Sequence, residues 1–257
     1  MGADNIAKEI HDGVMELSFD RAGKKNAIDR AMYSVLVDAL EAAARDTRVR
    51  VVLFLGRNGD FTSGNDIADF MNPATFTQDS PVMRFIEDIA AAPKPLVAGV
   101  EGLAVGIGVT MLLHCDLVYA GAGARFQMPF VNLGLVPEAG STLLLPGIAG
   151  RQRAAELVLL GEPATAEKMR DYGIVNEVVP DGTAAARARE VALALSAKPP
   201  AAVRISRELL RGRDAGSIRE SIAREAAAFR ERLSSPEAAE AFSAFAQKRK
   251  PDFSRFE

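Results

Sequence analysis

Cysteine and histidine are nearly absent from this sequence, which contains one cysteine and two histidines among 257 residues. The lone Cys115 excludes an internal disulfide bond, and with only His11 and His114 beside it we expect no metal site. No apolar run approaches the ~20 residues of a transmembrane helix. The first ten residues also lack the apolar region of a signal peptide. We therefore expect a cytoplasmic protein.

Neither sign of charge is in marked excess. The 31 Lys and Arg residues nearly balance the 34 Asp and Glu residues, for a net charge of −3. This balance gives no general electrostatic reason to bind nucleic acid or an anionic membrane, and we expect neither as a partner. Hydrophobic residues make up 48% of the chain, enough for the core of a globular domain.

The most informative stretch is Val97–Asp116, V-A-G-V-E-G-L-A-V-G-I-G-V-T-M-L-L-H-C-D. An apolar run, the glycines Gly102, Gly106 and Gly108, and a second apolar segment predict a strand, a turn and a helix. The first N–H groups of such a helix suit a phosphate or an oxyanion, because they are unpaired and carry the positive end of the helix dipole. Met111 stands where a dinucleotide fingerprint needs its third glycine, and no P-loop Lys follows.

A second glycine turn, F-T-S-G-N-D-I at Phe61–Ile67, also follows an apolar run. Two such turns can together place two N–H donors on a carbonyl oxygen as it becomes an oxyanion. The alternative is that the glycines only permit tight packing of helix on strand. The second turn favours the oxyanion interpretation, and the packing interpretation stays open.

The remaining pattern predicts an α/β body followed by helices. Alternating apolar residues indicate a half-buried strand at 13–20, and Asp29 is placed to cap the helix that follows. The uniformly apolar run 49–55 is typical of a strand covered on both faces. From residue 183 the chain is rich in alanine and arginine, and we expect helices at 183–197, 199–211, 216–233 and 236–249. We place a boundary after residue 198, with a body at 1–198 and a helical oligomerisation region at 199–257.

Glu138 is the candidate acid or base. It is the only acidic residue between Asp116 and Glu156, in a loop of proline, glycine and apolar residues. Such surroundings raise the pKa of a carboxyl group and suit it to proton abstraction. The alternative is a solvated turn residue. We expect His114 to be a core residue and Asp66 to be a helix cap, and the absence of G-x-S-x-G argues against a serine hydrolase.

Five blocks, in this order, resemble the crotonase (enoyl-CoA hydratase/isomerase) family: R-A-G-K-K-N-A-I, F-T-S-G-N-D-I, A-V-G-I-G-V-T-M-L-L-H-C-D, L-G-L-V-P-E-A-G-S and A-x-x-M-x-x-Y-G-I-V-N-E-V-V-P. The resemblance covers nearly the whole chain. It implies an α/β fold, the crotonase (ClpP-like) β-β-α spiral, with a helical C-terminal trimerisation region and trimers that often pair into hexamers. It also implies an acyl-CoA thioester substrate and no cofactor beyond the coenzyme A that the substrate carries.

The resemblance also implies roles for single residues. The N–H groups of Asn65 and Ile107 match the two oxyanion donors of the family. Lys25 matches a basic position that contacts coenzyme A. The other implied contacts with the CoA thioester are Ala27, Ser63, Gly64, Asp66, Ile67, Gly106, Gly108, Phe130 and Leu133.

Family hydratases carry two glutamates that share the attacking water, and the matching positions here are Thr110 and Phe130. Neither side chain can take a proton from that water or give one to the substrate. Glu138 matches the single base of peroxisomal-type Δ3,Δ2-enoyl-CoA isomerases, so the resemblance implies an isomerase that converts 3-enoyl-CoA to 2-enoyl-CoA. Ring-epoxide isomerases of phenylacetyl-CoA derivatives are similar but have aspartate there.

Two more interpretations stay open within the same family. One is a hydratase of fatty-acid β-oxidation that works with a single acid. The second is a non-catalytic member that binds acyl-CoA or RNA. The negative net charge counts against RNA, and the acid retained in the loop counts against a non-catalytic member.

Overall fold

A computed structural model describes residues 5–70, 76–212 and 215–256 of the chain. The strands are β1 (Ile6–His11), β2 (Val14–Phe19), β3 (Val51–Gly56), β4 (Leu96–Val100), β5 (Leu103–Val105), β6 (Leu117–Gly121), β7 (Arg125–Gln127), β8 (Ala164–Thr165) and β9 (Glu177–Val179). The α-helices are α1 (Arg30–Arg45), α2 (Ile67–Phe70), α3 (Pro81–Ala91), α4 (Ile107–Thr110), α5 (Ser141–Ala149), α6 (Arg151–Ala155), α7 (Ala166–Asp171), α8 (Ala184–Ser196), α9 (Pro200–Arg211), α10 (Ala215–Leu233) and α11 (Pro236–Ala246).

Shorter helical turns extend or separate these elements. A 3₁₀ turn at Met111–His114 continues α4, and a π-helical turn at Glu156–Leu160 continues α6. Two further 3₁₀ turns lie at Ala22–Lys24 and Val131–Leu133.

The strands form two sheets. The larger has the order β1-β2-β3-β4-β6-β9, in which β1 and β2 are antiparallel and the other neighbours are parallel. The smaller has the order β5-β7-β8, with β5 and β7 parallel.

Successive turns of the chain repeat one pattern. One strand joins the large sheet, the next joins the small sheet, and a helix follows, as in β4-β5-α4 and β6-β7. Two isolated bridges, Thr62↔Ala104 and Ile28↔Asn65, add the turn after β3 to the small sheet. This repeated progression is the predicted β-β-α spiral, and the fold class is confirmed.

The core explains why the central strands carry no polar alternation. The residues of β3 and β4 are buried on both faces of the sheet, except for Gly56 at the end of β3. Helix α8 packs on one face through Ala188 and Ala192, and α1 and α3 belong to the main core on the other. The strand predicted to be covered on both faces is therefore confirmed. Asp29 caps α1 as predicted, because its side chain accepts a hydrogen bond from the Met32 N–H.

The helices after residue 183 lie close to their predicted bounds, as α8 to α11. Helix α10 packs on α3 and α5, and α11 packs on the 3₁₀ turn at Val131–Leu133. The last two helices therefore return to the body and cover the loop that carries Glu138.

Neither a membrane-spanning helix nor a metal-binding cluster is found in the described ranges. No helix there is both long and apolar enough to cross a membrane. No group of three or more His, Cys, Asp or Glu side chains in those ranges is arranged to hold a metal ion.

Candidate active site

The two glycine turns lie side by side because the chain segments before them are paired. The Thr62 N–H donates to the Leu103 carbonyl at 2.8 Å, and the Val105 N–H donates to the Thr62 carbonyl at 3.0 Å. This short parallel ladder joins the segment after β3 to β5. The turns that leave the two strands, at Gly64 and Gly106, therefore open onto the same cavity.

The pairing leaves no room for side chains at two glycines. A Cβ atom on Gly64 would lie 2.8 Å from the Val105 carbonyl oxygen, and the φ of Gly64 is +89°. A Cβ atom on Gly108 would lie 2.6 Å from Cγ2 of Thr62. Both glycines are therefore needed for close packing of the two turns.

Two backbone N–H groups remain free where the turns meet. The Ile28 N–H donates to the Gly64 carbonyl at 2.8 Å and the Asp66 N–H donates to the Ile28 carbonyl at 2.9 Å. In a parallel bridge of this form, the N–H of Asn65 points away from Ile28. Ile107 is the first residue of α4, where an N–H has no partner within the helix. Within the described part of the chain, neither the Asn65 nor the Ile107 N–H donates a hydrogen bond.

An open cavity of about 630 Å³ leads to these turns. It brings together most of the residues predicted to contact coenzyme A and the thioester: Ala27, Ser63, Gly64, Asn65, Asp66, Ile67, Gly106, Phe130 and Leu133. Helix α11 adds Phe242 and Phe245, which the sequence does not indicate. Ile107 and Gly108 are buried behind this lining, at the start of α4.

The basic residue at the cavity differs from the predicted one by one position. Lys24 lines the cavity and Lys25 does not, although both side chains are exposed; Lys25 has a φ of +49° at the end of the 3₁₀ turn. Asp66 is paired with Arg21 at 2.7 Å and also accepts a hydrogen bond from the Ala68 N–H at 3.0 Å. The predicted capping role of Asp66 is therefore confirmed.

A small inner cavity of about 10 Å³ lies beyond the open one, with room for about one water molecule. Asn65 lines both cavities. Apart from Asn65 and Glu138, the described lining is apolar, formed by Phe76, Val82, Met83, Ile86, Ala139, Ile222, Ala226 and Phe229. Glu138 is thus the acidic residue in the described lining of a largely apolar cavity.

Glu138 is buried, with 7% of its surface exposed, so the interpretation as a solvated turn residue is wrong. Its Oε1 accepts a hydrogen bond from Oγ1 of Thr110 at 2.5 Å, and its Oε2 has no partner among the described residues. Burial raises the pKa of Glu138 to about 8; the Thr110 hydrogen bond opposes that rise and the negative charge of Glu225 adds to it. The predicted rise in pKa is confirmed, and its main cause is desolvation.

The loop of Glu138 has an unusual backbone held by contacts from two helical segments. Ala139 and Gly140 have φ of +62° and +71°, and the left-handed region costs about 1 kcal/mol or more for alanine. Nε2 of His114 lies 2.7 Å from the Ala139 carbonyl oxygen. Burial lowers the pKa of His114 to about 4, so the ring is neutral and donates this bond. Glu225 of α10 accepts a hydrogen bond from the Gly140 N–H at 2.6 Å.

His114 is the core residue that the sequence predicts, with 2% exposure, but its contact with the loop has no sequence signal. Sequence reasoning misses Tyr33 and Glu225 altogether. The Tyr33 hydroxyl donates to Oδ1 of Asn65 at 2.5 Å. Burial, with a contribution from the charge of Glu138, raises the pKa of Tyr33, so the phenol keeps its proton. The only sequence signal for Tyr33 is that it lies next to the apolar face predicted for helix α1.

The side chains around Glu138 allow one proton-transfer group and not two. Thr110 uses its hydroxyl on Glu138, and Phe130 contributes an aromatic ring to the open cavity. Asp66 is the other acidic residue in the described linings, and its carboxylate is bound by Arg21. Hydration needs a base for the water and an acid for the other carbon. This arrangement suits a reaction in which one carboxyl group both removes and returns a proton.

Residues 9–255 match the family model described as enoyl-CoA hydratase/isomerase. The chain is 37% identical to the peroxisomal enoyl-CoA delta isomerase 3 of Mus musculus, over 95% of this chain and 81% of that protein. It is 34% identical to 2,3-dehydroadipyl-CoA hydratase of Escherichia coli, over 93% and 94%. The crystal structure of an enoyl-CoA hydratase/isomerase from Pseudoalteromonas atlantica has a TM-score of 0.92 at 38% identity, over 97% of this chain and 99% of that one. Relatives with both activities are thus similar to this chain to nearly the same extent.

Proposed function

The chain belongs to the enoyl-CoA hydratase/isomerase family, and we propose that within it the protein is an isomerase that converts 3-enoyl-CoA to 2-enoyl-CoA. The observation that carries this proposal is that Glu138 supplies the one carboxyl group in the described lining of the largely apolar inner cavity. An isomerase of this kind needs one group that accepts a proton at C2 and returns it at C4. A hydratase needs a positioned water molecule and two groups that transfer protons.

The proposed steps use the Glu138 carboxyl group and the N–H groups of Asn65 and Ile107. Glu138 removes the C2 proton, the C2–H electron pair forms a C1=C2 double bond, and the thioester carbonyl becomes a dienolate oxygen. The free N–H groups of Asn65 and Ile107 donate to that oxygen. The carboxyl group of Glu138 then gives its proton to C4. The C3=C4 electron pair forms the new C4–H bond, the C1=C2 pair moves to C2=C3, and an electron pair of the dienolate oxygen re-forms the carbonyl. The N–H donors are worth most in a site from which water is excluded.

The two cavities are proposed to hold different parts of the substrate. The open cavity, with Lys24 at its edge and Ala27, Asp66 and Ile67 in its wall, is the proposed path of the coenzyme A moiety. Asn65 lines both cavities, and the thioester would sit beside it, between the two turns. The acyl group would then enter the apolar inner cavity beside Glu138. Because that cavity holds about 10 Å³, its apolar side chains must move apart to admit an acyl chain.

Two alternatives fit the site less well. In a hydratase two groups must transfer protons, and Thr110 and Phe130 do not supply a second one beside Glu138. A ring-epoxide isomerase of phenylacetyl-CoA type is the second candidate from the resemblance, but its aspartate is replaced here by the longer Glu138.

The rate of isomerisation should follow the titration of Glu138. We expect kcat/KM for 3-enoyl-CoA to rise with pH and to level off above about pH 8, because burial raises the pKa of this base to about 8 and only the carboxylate accepts a proton. Initial rates from about pH 6 to pH 10 measure this limb. Thr110→Val removes a hydrogen bond that lowers the pKa of Glu138, so the rising limb of this variant's pH profile should lie at higher pH. A profile that is flat down to about pH 5 would contradict the assignment of the base.

A further inference from the structure

Glu225 is a buried acidic residue, with 6% exposure, that no step of the proposed reaction uses. It lies on α10, and its carboxylate binds the start of α5. It accepts hydrogen bonds from the Gly140 N–H at 2.6 Å, from the Thr142 N–H at 2.9 Å and from Oγ1 of Thr142 at 2.5 Å. Oγ of Ser221 donates to the same carboxylate at 3.2 Å. Gly140 directly precedes α5 and follows Glu138 by two residues, so Glu225 holds the chain next to the base.

Resting on the function proposed above, we propose that Glu225 is a positioning residue for Glu138, so that the C-terminal helix α10 completes the active site. The base would be placed by a carboxylate that lies far away in sequence and touches neither the substrate nor the reacting atoms.

The backbone geometry shows why this loop needs such a contact. Ala139 and Gly140 both have positive φ, and the chain then turns directly into α5. Three contacts fix the segment: Thr110 binds the Glu138 side chain, His114 binds the Ala139 carbonyl, and Glu225 binds the Gly140 N–H. Thr110 and His114 belong to the helical segment after β5. Glu225 supplies the third contact, from α10.

Loss of the Glu225 carboxylate would leave N–H groups at a helix start without their acceptor. A buried N–H without a partner is costly, so water or a shift of the loop must replace the lost bonds. Either response changes the surroundings of Glu138, whose Oε2 has no partner among the described residues. A shift of about 1 Å in a reacting group is enough to cost about 10²-fold in rate.

Electrostatic interactions also connect Glu225 with Glu138. Three titratable groups lie around Glu138. They are Tyr33 on α1, Glu225 on α10, and His114, which contacts the carbonyl of the neighbouring Ala139. Tyr33 keeps its proton and His114 is neutral, because burial raises the pKa of the first and lowers that of the second. After burial as the main cause, the negative charge of Glu225 also raises the pKa of Glu138. Removal of that charge, or entry of water, should lower this pKa.

The test compares Glu225→Gln with Glu220→Gln, an exposed glutamate five residues earlier on the same helix. For Glu225→Gln we expect kcat for 3-enoyl-CoA to fall by about 10- to 100-fold with KM within about twofold. We also expect the acid limb of the pH profile to move down by about half a pH unit or more. Glu220→Gln should match the unmodified protein in kcat and in the acid limb.

A role in capping α5 alone predicts a different result. Glu225→Gln would then lower the melting temperature and leave kcat and the acid limb of the folded enzyme unchanged, which would overturn the proposal. If Glu225→Gln does not fold, Thr142→Val removes one of the hydrogen bonds to Glu225. It should lower kcat several-fold at constant KM, and an unchanged kcat would equally overturn the proposal.

Glu138→Gln, assayed beside these variants, separates the two proposals. If Glu138→Gln is active, the proposed function itself fails. If Glu138→Gln is inactive and Glu225→Gln behaves like the unmodified protein, only the positioning role fails.

Discussion

Replacing Glu138 with glutamine is expected to lower kcat for isomerisation by about 10²- to 10⁴-fold, the usual cost of losing a general base. Glutamine has the same shape, and its amide oxygen can still accept the Thr110 hydrogen bond. Because burial raises the pKa of Glu138 to about 8, much of the native side chain is already uncharged near neutral pH. The substitution should therefore leave the fold and acyl-CoA affinity nearly unchanged. Turnover of 3-enoyl-CoA and calorimetric binding of a saturated acyl-CoA measure the two quantities.

Glu162→Gln is the matched control for this variant, because Glu162 is exposed and lies outside both cavities. It should retain the kcat and the affinity of the unmodified protein. If Glu138→Gln kept a large share of the normal turnover, the base would have to be another residue.

Gly64→Ala is expected to lower kcat by about 10²- to 10³-fold, the typical effect of losing one oxyanion donor. The added Cβ would lie 2.8 Å from the Val105 carbonyl oxygen, so the two turns must separate. Separation displaces the N–H of Asn65, the next residue, from the oxygen that it is proposed to bind. Steady-state kinetics on 3-enoyl-CoA and thermal unfolding of the same sample measure the activity and the stability.

Gly59→Ala controls for backbone strain. Gly59 has a φ of +86°, close to the +89° of Gly64, but a Cβ atom there would meet nothing within 4 Å beyond its chain neighbours in the described ranges. Both variants should lose about 1 kcal/mol or more of folding stability, because alanine is disfavoured at positive φ. Only Gly64→Ala should also lose activity. Equal activity in the two variants would show that the contact with Val105 does not matter for catalysis.

The parts of the fold that the sequence predicts are those whose signals are local. The apolar run of β3, the Asp29 cap of α1 and the alanine-rich helices after residue 183 all carry their own pattern. Glu138 can be identified because an isolated acid in an apolar loop is chemically conspicuous. The two glycine turns are visible separately, and their contact through Thr62 and Ala104 agrees with the interpretation that they act together.

The elements that the sequence does not reveal depend on tertiary contacts. β1 is a largely exposed edge strand, and β5 and β7 have three residues each, too few to show a period. Helix α5 contains Pro146 and is preceded by Gly140, whose N–H donates a hydrogen bond to Glu225, a residue 85 positions away. No local sequence pattern predicts a cap from so distant a residue. Glu225 is absent from the predicted site for the same reason.

Two expectations about the organisation of the chain remain predictions. One is the boundary after residue 198, although α10 and α11 both contribute to the cavities. The other is assembly into trimers or hexamers. Leu209 and Leu210 on α9 are 76% and 83% exposed in the single chain, and burial of such side chains between subunits would be favourable.

The central claim is that one carboxyl group serves an isomerase and not a hydratase. The most direct test measures kcat/KM for conversion of 3-enoyl-CoA and for hydration of 2-enoyl-CoA with one enzyme preparation. We predict that isomerisation is faster by at least about 10²-fold, because Thr110 and Phe130 supply no second proton transfer. Faster hydration of 2-enoyl-CoA, abolished by Glu138→Gln, would contradict the claim and identify a hydratase with one acid.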